Sequence, residues 1–420
     1  MYIYILLVFF LLLLGTMLVV LNNTRLLANK IKENTDGNID FNLILKGDKE
    51  IILKKDSEYI EPGYIATTFD GKKLDVNVMG EVNVNKLGEY DIIYIAEYKG
   101  VEKKIRRKVI VAENLVTYIT NLYKTNNILN NLKKDNTPDS NIRYYGSNPN
   151  NYVSFNNELW RIIGVFGDNV KLVRSETLGK LSWDSSKSTI NDGYGVNEWS
   201  QADLQVYLNK MYYGGTTVTC YGGTNNTTTT CPTNKLNAES KSLIDNHTWN
   251  TGAPNWIALS DSTTESYDTV EFYKAERGSE NGKKCQSGRT YCNDTVTRTT
   301  EWNGYIGLPY VTDWAYASGE DDCNTMIDKS STKKCKNNNW MHYGNGYGDK
   351  TWYLSPYLQP NTCVTNASNS VWIVYGVGGV YDDFAANPLS VFPTIYLKSN
   401  ILIEGGKGTS SDPYILKAGS

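Results

Sequence analysis

A chain of 420 residues with a formal net charge of −3 carries no global basic field for nucleic acid. Forty per cent apolar residues, with 31 Tyr and 10 Trp beside only 9 Phe, are enough for folded cores and exclude a disordered stalk. The length leaves room for two or three domains. The first element is the uncharged run from Tyr2 to Leu21, YIYILLVFFLLLLGTMLVVL. As a helix rising ~1.5 Å per residue it would be about 30 Å long, the thickness of a bilayer's hydrocarbon core. Residues 1–22 are therefore predicted to be a single transmembrane anchor. The start MYIY lacks the basic residues of a cleaved signal peptide, and no A-x-A-like site follows. Arg25, Lys30 and Lys32 come next; they would favour a cytoplasmic C-terminal side, but long domains translocate largely regardless of flanking charge. The expectation is a single-pass protein of the cell membrane, its large C-terminal part extracellular, with the membrane as a partner through the N-terminal helix.

Residues 23–40 are a polar spacer, and from Phe41 the apolar period becomes two. FNLILKG and KEIILKK predict strands, and YIEPG (59–63) predicts a turn. LDVNVMGEVNVN alternates Val76, Val78, Val82 and Val84 against polar neighbours around Gly80, and YDIIYIAEY and VEKKIRRKVIVAE predict a long hairpin about Lys99-Gly100. The basic run KKIRRK (103–108) is expected on a solvated edge strand. Six or seven short strands in this space make a small β-sandwich over 41–113. EPGY (61–64), FDG (69–71), GEVNVNKLGEYDIIYIA (80–96) and RKVIV (107–111) resemble the bacterial immunoglobulin-like domain of Gram-positive surface proteins, which implies a spacer or stalk.

Residues 114–139 are predicted to be a linker with a short helix through Ile119 and Leu122. In the last block, 140–420, ELWRIIGVF (158–166) and VKLVRSE (170–176) form a hairpin. WSQADLQVYLNKMYY (199–213) forms a helix with a Ser200/Asp203 capping box, and 236–246 a second helix. Beyond these the chain is rich in Gly, Asn and aromatics and shows no regular period. The expected fold class is multidomain: a single N-terminal transmembrane helix, a small all-β immunoglobulin-like sandwich, and a larger α+β, loop-rich domain. IRYYGSNPNNYVSFNNELWRIIGVF (142–166), IGLPYVTDWAYAS (306–318), YLSPY (353–357), FPTIYLKSNI (392–401) and GGKGTSSDPYIL (405–416) resemble an uncharacterised C-terminal domain of Gram-positive surface proteins. That domain is similar in layout to C-type-lectin-like and formylglycine-generating-enzyme-like domains. The resemblance implies surface exposure and ligand or adhesive binding.

Seven cysteines all follow residue 219. Cys220 and Cys231, Cys285 and Cys292, and Cys323 and Cys335 bracket polar loops and are expected to form local disulfides, with Cys363 unpaired. No pair has C-x-x-C spacing and no His stands at ligand spacing, which argues against zinc. Without paired late cysteines, formylglycine-generating activity has no support. His247 and His342 lie in no G-x-S-x-G setting. Glu320-Asp321-Asp322 and Asp382-Asp383 are adjacent loop carboxylates, solvated charge or part of a Ca²⁺ site. The chain is accordingly expected to be no enzyme and to need no cofactor. Tyr343, Tyr347, Tyr375, Tyr381 and Asp382 are the candidate ligand contacts, flat aromatic faces beside a carboxylate suited to an extracellular glycan or protein ligand. Trp160, Trp352 and Trp372 are expected in the core. The alternatives are a cell-wall-acting enzyme and a purely structural envelope protein.

Overall fold

The computed structural model describes residues 40–185, 193–252, 266–277, 296, 298–321, 323, 326–328, 335–344, 346–357 and 369–419. The chain divides into two compact units, 1–112 and 113–420.

In the first unit the strands are β1 (Asn42–Leu45), β2 (Glu50–Lys54), β3 (Tyr64–Thr67), β4 (Val76–Met79), β5 (Gly88–Tyr98) and β6 (Val101–Asn114). β1 pairs with β3, and β4, β5, β6 and β2 form a second sheet in that order, with β2 parallel to β6. The core between them holds Phe41, Leu43, Ala66 and Ala96, continued by Ile92, Tyr94 and Val109. The β5–β6 hairpin turns at Lys99 and Gly100, both at positive φ (49° and 80°), as a two-residue turn matched to strand twist requires. The basic run departs from the expectation at one residue. Residues 103–107 pair with β5 alone, since β2 joins β6 only from Lys108 onward, but Arg107 is fully buried. Its guanidinium donates to the carbonyls of Asp48, Lys46 (2.6 Å) and Gly63 (3.0 Å) and pairs with Glu61 at 3.1 Å. The EPG turn is held from below by this arginine. Alternation explains the rest: Arg106 and Lys108 meet Asp91 and Glu89 nearer solvent.

The second unit opens with helix α1 (Leu115–Asn126), capped by the Asn114 side chain, which accepts from Thr117 N–H. The chain then runs through β7 (Leu132–Lys134), β8 (Ile142–Tyr144), β9 (Tyr152–Phe155), β10 (Glu158–Phe166), β11 (Asn169–Arg174), β12 (Lys180–Leu181), α2 (Asp203–Val206), β13 (Cys220–Tyr221) and β14 (Thr228–Thr229). It continues with α3 (Ala238–Leu243), β15 (His247–Asn250), β16 (Ser266–Asp268), α4 (Thr269–Glu276), β17 (Glu301–Gly304), β18 (Ile306–Gly307), α5 (Val311–Ala317) and β19 (Met326–Asp328). It closes with β20 (Lys350–Tyr357), β21 (Ser370–Tyr375), β22 (Val380–Phe384), β23 (Leu389–Ser390), β24 (Thr394–Tyr396), β25 (Ile401–Gly405) and β26 (Tyr414–Ala418). Two sheets organise it. One runs β18-β24-β11-β10-β9-β26-β25, the other β12-β23-β20-β21-β22. A bulge between Ile162 and Gly164 lets β10 pair with β9 along its first half and β8 along its second. Helix α5 packs against β8, β20 and β21. Trp160, Trp352 and Trp372 are all buried, as expected.

The expected fold class is corrected here. The described residues are mostly sheet, and their helices are short; α1, at 12 residues, is the longest of those the unit uses. Among the described residues no helix is long and apolar enough to cross a membrane, so a single transmembrane helix finds no support; residues 1–22, where it was expected, lie outside the described residues. The α+β, loop-rich reading of 140–420 fails for a physical reason. β20 and β21 are buried along almost their whole length, on both faces, and a strand buried on both faces has no alternation to read. The stretch 340–384, expected to be irregular, supplies three strands of the second sheet. The segment 199–213 is helical, but α2 passes into a π-helical stretch at Tyr207–Tyr213. Ser200 does not cap it: its hydroxyl donates to Glu198 Oε2. The stretch expected to be a linker is packed into the second unit, with Leu132 and Asp135 buried.

Candidate functional site

At the centre of the second unit lies a dry cluster of charge. Arg143, on β8, donates Nε to Asp135 Oδ2 at 2.6 Å and Nη1 to Asp313 Oδ1 at 2.7 Å. Lys171, on β11, reaches Asp313 Oδ2 at 2.5 Å. Asp313 stands in the first turn of α5, and its Oδ2 also accepts the Tyr310 N–H at 2.9 Å. Glu276, the last residue of α4, accepts from the Thr312 hydroxyl at 2.6 Å and meets Arg277 at 3.4 Å. Arg277 lies on the Tyr273 ring, 3.4 Å from its centroid. Burial works against charge throughout. It pushes the Glu276 carboxyl up to about 7 and the Lys171 ammonium down to about 8 against the pull of their partners. Burial would raise Asp313 and Asp135 too, but Lys171 and Arg143 together hold Asp313, and Arg143 holds Asp135, below the usual carboxylate range.

The candidate ligand face is at the other end of the second sheet. Directly opposed residues share a face, and so do alternate residues along a strand. Lys350 opposes Tyr375, Ile373 opposes Tyr381, and Val371 opposes Asp383. Lys350, Tyr375, Tyr381 and Asp383 therefore line one face where β20, β21 and the edge strand β22 meet, all of them half-buried. The Tyr375 and Tyr381 rings meet edge to face at 4.9 Å. Lys350 Nζ pairs with Asp383 Oδ2 at 2.6 Å and stands 4.9 Å from the Tyr375 ring. Burial opposes the Lys350 charge, but Asp383 and Tyr375 hold its ammonium above the usual lysine range. Asp383 Oδ1 accepts from Asn387 Nδ2 at 2.5 Å, so the carboxylate is fixed on both sides.

Of the five expected contacts, the structure brings Tyr375 and Tyr381 together. Asp382 opposes Trp372 and so points to the other face of β22; a strand cannot present Tyr381 and Asp382 side by side, and Asp383 takes the position expected of Asp382. Tyr343 is turned inward, stacked on Phe392 at 3.8 Å with its hydroxyl buried. Tyr347 is 73% exposed on the turn before β20. Sequence reasoning missed Lys350 and singled out Asp383 only as a loop carboxylate; strand periodicity from Tyr381 would have placed it on the ligand face. Cys220–Cys231 and Cys323–Cys335 are disulfides, with Cα atoms 5.2 and 5.6 Å apart. Cys285, Cys292, Cys363 and Asp322 lie outside the described residues. Both histidines are packed: His247 stacks on Tyr396 at 3.7 Å beside Asp245, and His342 Nε2 meets the Gly376 carbonyl at 3.0 Å. Among the described residues no group of three His, Cys, Asp or Glu is placed to hold a metal.

With this geometry in view, comparison with known proteins gives one family. Residues 43–111 match the bacterial surface protein, Ig-like domain, close to the 41–113 expected for the immunoglobulin-like module. That domain gives the chain a cell-surface role. Among solved structures, a lipoprotein from Bacteroides thetaiotaomicron is 36% identical over 18% of this chain, with a TM-score of 0.17. The shared stretch is 39% of that protein, well under two thirds of its length. No curated protein matches the chain.

Proposed function

We propose that the second unit is a recognition head that binds a carbohydrate or protein ligand at the bacterial surface, that the immunoglobulin-like unit is its spacer, and that the chain is no enzyme. The row Lys350, Tyr375, Tyr381 and Asp383 carries this reading. Two half-exposed rings offer flat apolar faces, and the fixed Lys350–Asp383 pair beside them offers a donor and an acceptor in set positions. Such a combination suits a sugar ring or a polar peptide side chain. Exposed Tyr347, three residues before Lys350, extends the aromatic supply. The likeness of 140–420 to a domain carried on Gram-positive surface proteins points the same way. A glycosidase reading has less support, because Asp382 and Asp383 point to opposite faces of one strand and do not converge. The test is a glycan and cell-wall-fragment array probed with the full chain, repeated with Tyr375→Ala and Tyr381→Ala. Binding that both variants lose while keeping the wild-type melt supports the proposal; no binding, or binding that neither variant changes, refutes it.

A further inference from the structure

We propose that Lys171 and Asp313 become covalently joined, by an amide bond between Lys171 Nζ and Asp313 Cγ. The two side chains are completely buried and Nζ lies 2.5 Å from Oδ2. They come from elements 142 residues apart in sequence, β11 and α5, so the bond would lock the first sheet to the helix that packs on the second. The condensation balances without a co-reactant. Nζ of the ammonium bonds to Cγ, the Cγ–Oδ2 bond breaks, and two protons from Nζ leave with Oδ2 as water; no electron is gained or lost.

The surroundings favour this step in three ways. The rings of Tyr310, Tyr396, Phe166 and Trp249 surround Nζ, their centroids 4.0, 5.2, 5.5 and 5.6 Å away. This wall excludes the water that would solvate the ions and hydrolyse the product. Arg143 Nη1 donates to Oδ1 at 2.7 Å, where the oxyanion of a tetrahedral intermediate forms, and the Tyr310 N–H donates to the departing Oδ2. Burial lowers Lys171 toward neutrality, making the free amine accessible. The charge count also closes. Before condensation Asp135, Asp313 and Glu276 face Arg143, Lys171 and Arg277. Afterwards Asp135–Arg143 and Glu276–Arg277 remain as two ion pairs, and the desolvated Lys171–Asp313 charges are gone.

The test is the intact mass of the natively purified full chain, read under denaturing conditions after its disulfides are reduced, followed by peptide mapping. The expected mass is one water molecule below that of the sequence, with a peptide in which the Lys171 segment is joined to the Asp313 segment. Lys171→Arg should have the full mass of its own sequence. A folded wild-type chain of unreduced mass, a deficit that maps to other residues, or a deficit that persists in Lys171→Arg overturns the proposal. Because the mass of the wild-type chain decides the matter, a variant that folds poorly does not blur the result.

Discussion

Arg107 of the first unit and Arg143 of the second are both buried completely, and the two are satisfied in different ways. Arg107 of the first unit donates mainly to main-chain carbonyls, those of Asp48, Lys46 and Gly63, and its carboxylate partner Glu61 is 31% exposed. Arg143 of the second unit sits between two carboxylates that are themselves fully buried, Asp135 and Asp313. Carbonyls carry partial charge and need no counter-ion of their own, so Arg107 can be a local device that fixes one turn. Carboxylates are full charges that must be cancelled in turn, so the Arg143 network spreads to Lys171, Glu276 and Arg277 and ties together four stretches of chain. Buried ions are strongly interdependent: removing one member leaves the others uncompensated.

The largest expected effect follows from that contrast. Arg143→Met should destabilise the second unit by about 3–5 kcal/mol, because it strands buried carboxylate charge. Arg107→Met leaves neutral carbonyls and a partly solvated Glu61, and should cost the first unit only about 1.5–3 kcal/mol, the worth of hydrogen bonds to a charged group. Denaturant unfolding followed by hydrogen exchange resolved to each unit measures both. An Arg107 variant as costly as the Arg143 variant would break the comparison.

The same contrast explains what the sequence made legible. The first unit was read almost strand by strand, since its strands are half-buried and alternate, and since Lys99-Gly100 marks the hairpin turn. Strand β3 escaped, four residues directly after a turn, and so did the burial of Arg107, because a run with five basic residues looks solvated throughout until the strand's alternation is known. In the second unit the hairpin of β10 and β11 and the short helix α3 were legible from local pattern. β20 and β21 were not, as strands buried on both faces lose their alternation. Nor was the ion cluster, whose members lie far apart in the chain and meet only in the fold. The motif IGLPYVTDWAYAS was visible, but not that its Asp313 is the pivot of the core.

A second, smaller effect concerns the sign of the response to pH. Glu276 has an ordinary value of 4.5 and is pushed up to about 7 by burial. Between these values the folded state holds a proton that the unfolded state has lost, so this stabilisation is full below 4.5 and disappears as pH rises through about 7. Asp203, raised to about 6 by burial and by Asp184, acts in the same direction. His247 and His342, both lowered chiefly by burial, act in the opposite one. The clean readout is therefore the melting temperature of wild type minus that of Glu276→Gln, which should fall between pH 5 and pH 8. In the first unit Glu61 is held low by Tyr59, Tyr94, Gly63 and Arg107 although burial opposes them. Its stabilisation is present above the ordinary carboxylate range and is lost as pH falls through its lowered value. A Glu276 difference that stays flat, or rises with pH, would remove the distinction between the two clusters.

The smallest effects separate neighbours on one strand, and they test the recognition face most sharply. Along β22, Tyr381 and Asp383 project to the side of Lys350 and Tyr375, and Asp382 projects to the side of Trp372. If the ligand lies on the first face, Tyr381→Ala should weaken binding by more than ~1 kcal/mol, as expected of an aromatic contact. Asp383→Ala should weaken it as well, since it removes an acceptor and releases Lys350; its thermal melt reports separately the loss of a pair whose carboxylate side chain is 9% exposed. Asp382→Ala should leave affinity unchanged, although it lies between the other two in sequence. A titration of each variant against a ligand identified on the array, paired with its thermal melt, gives the pattern. Loss at 381 and 383 with none at 382 has the period of a strand and places the ligand on one face of the sheet. Loss at 382 equal to that at 381 means that binding does not follow the strand's alternation, and the assigned face is then wrong even if the unit does bind.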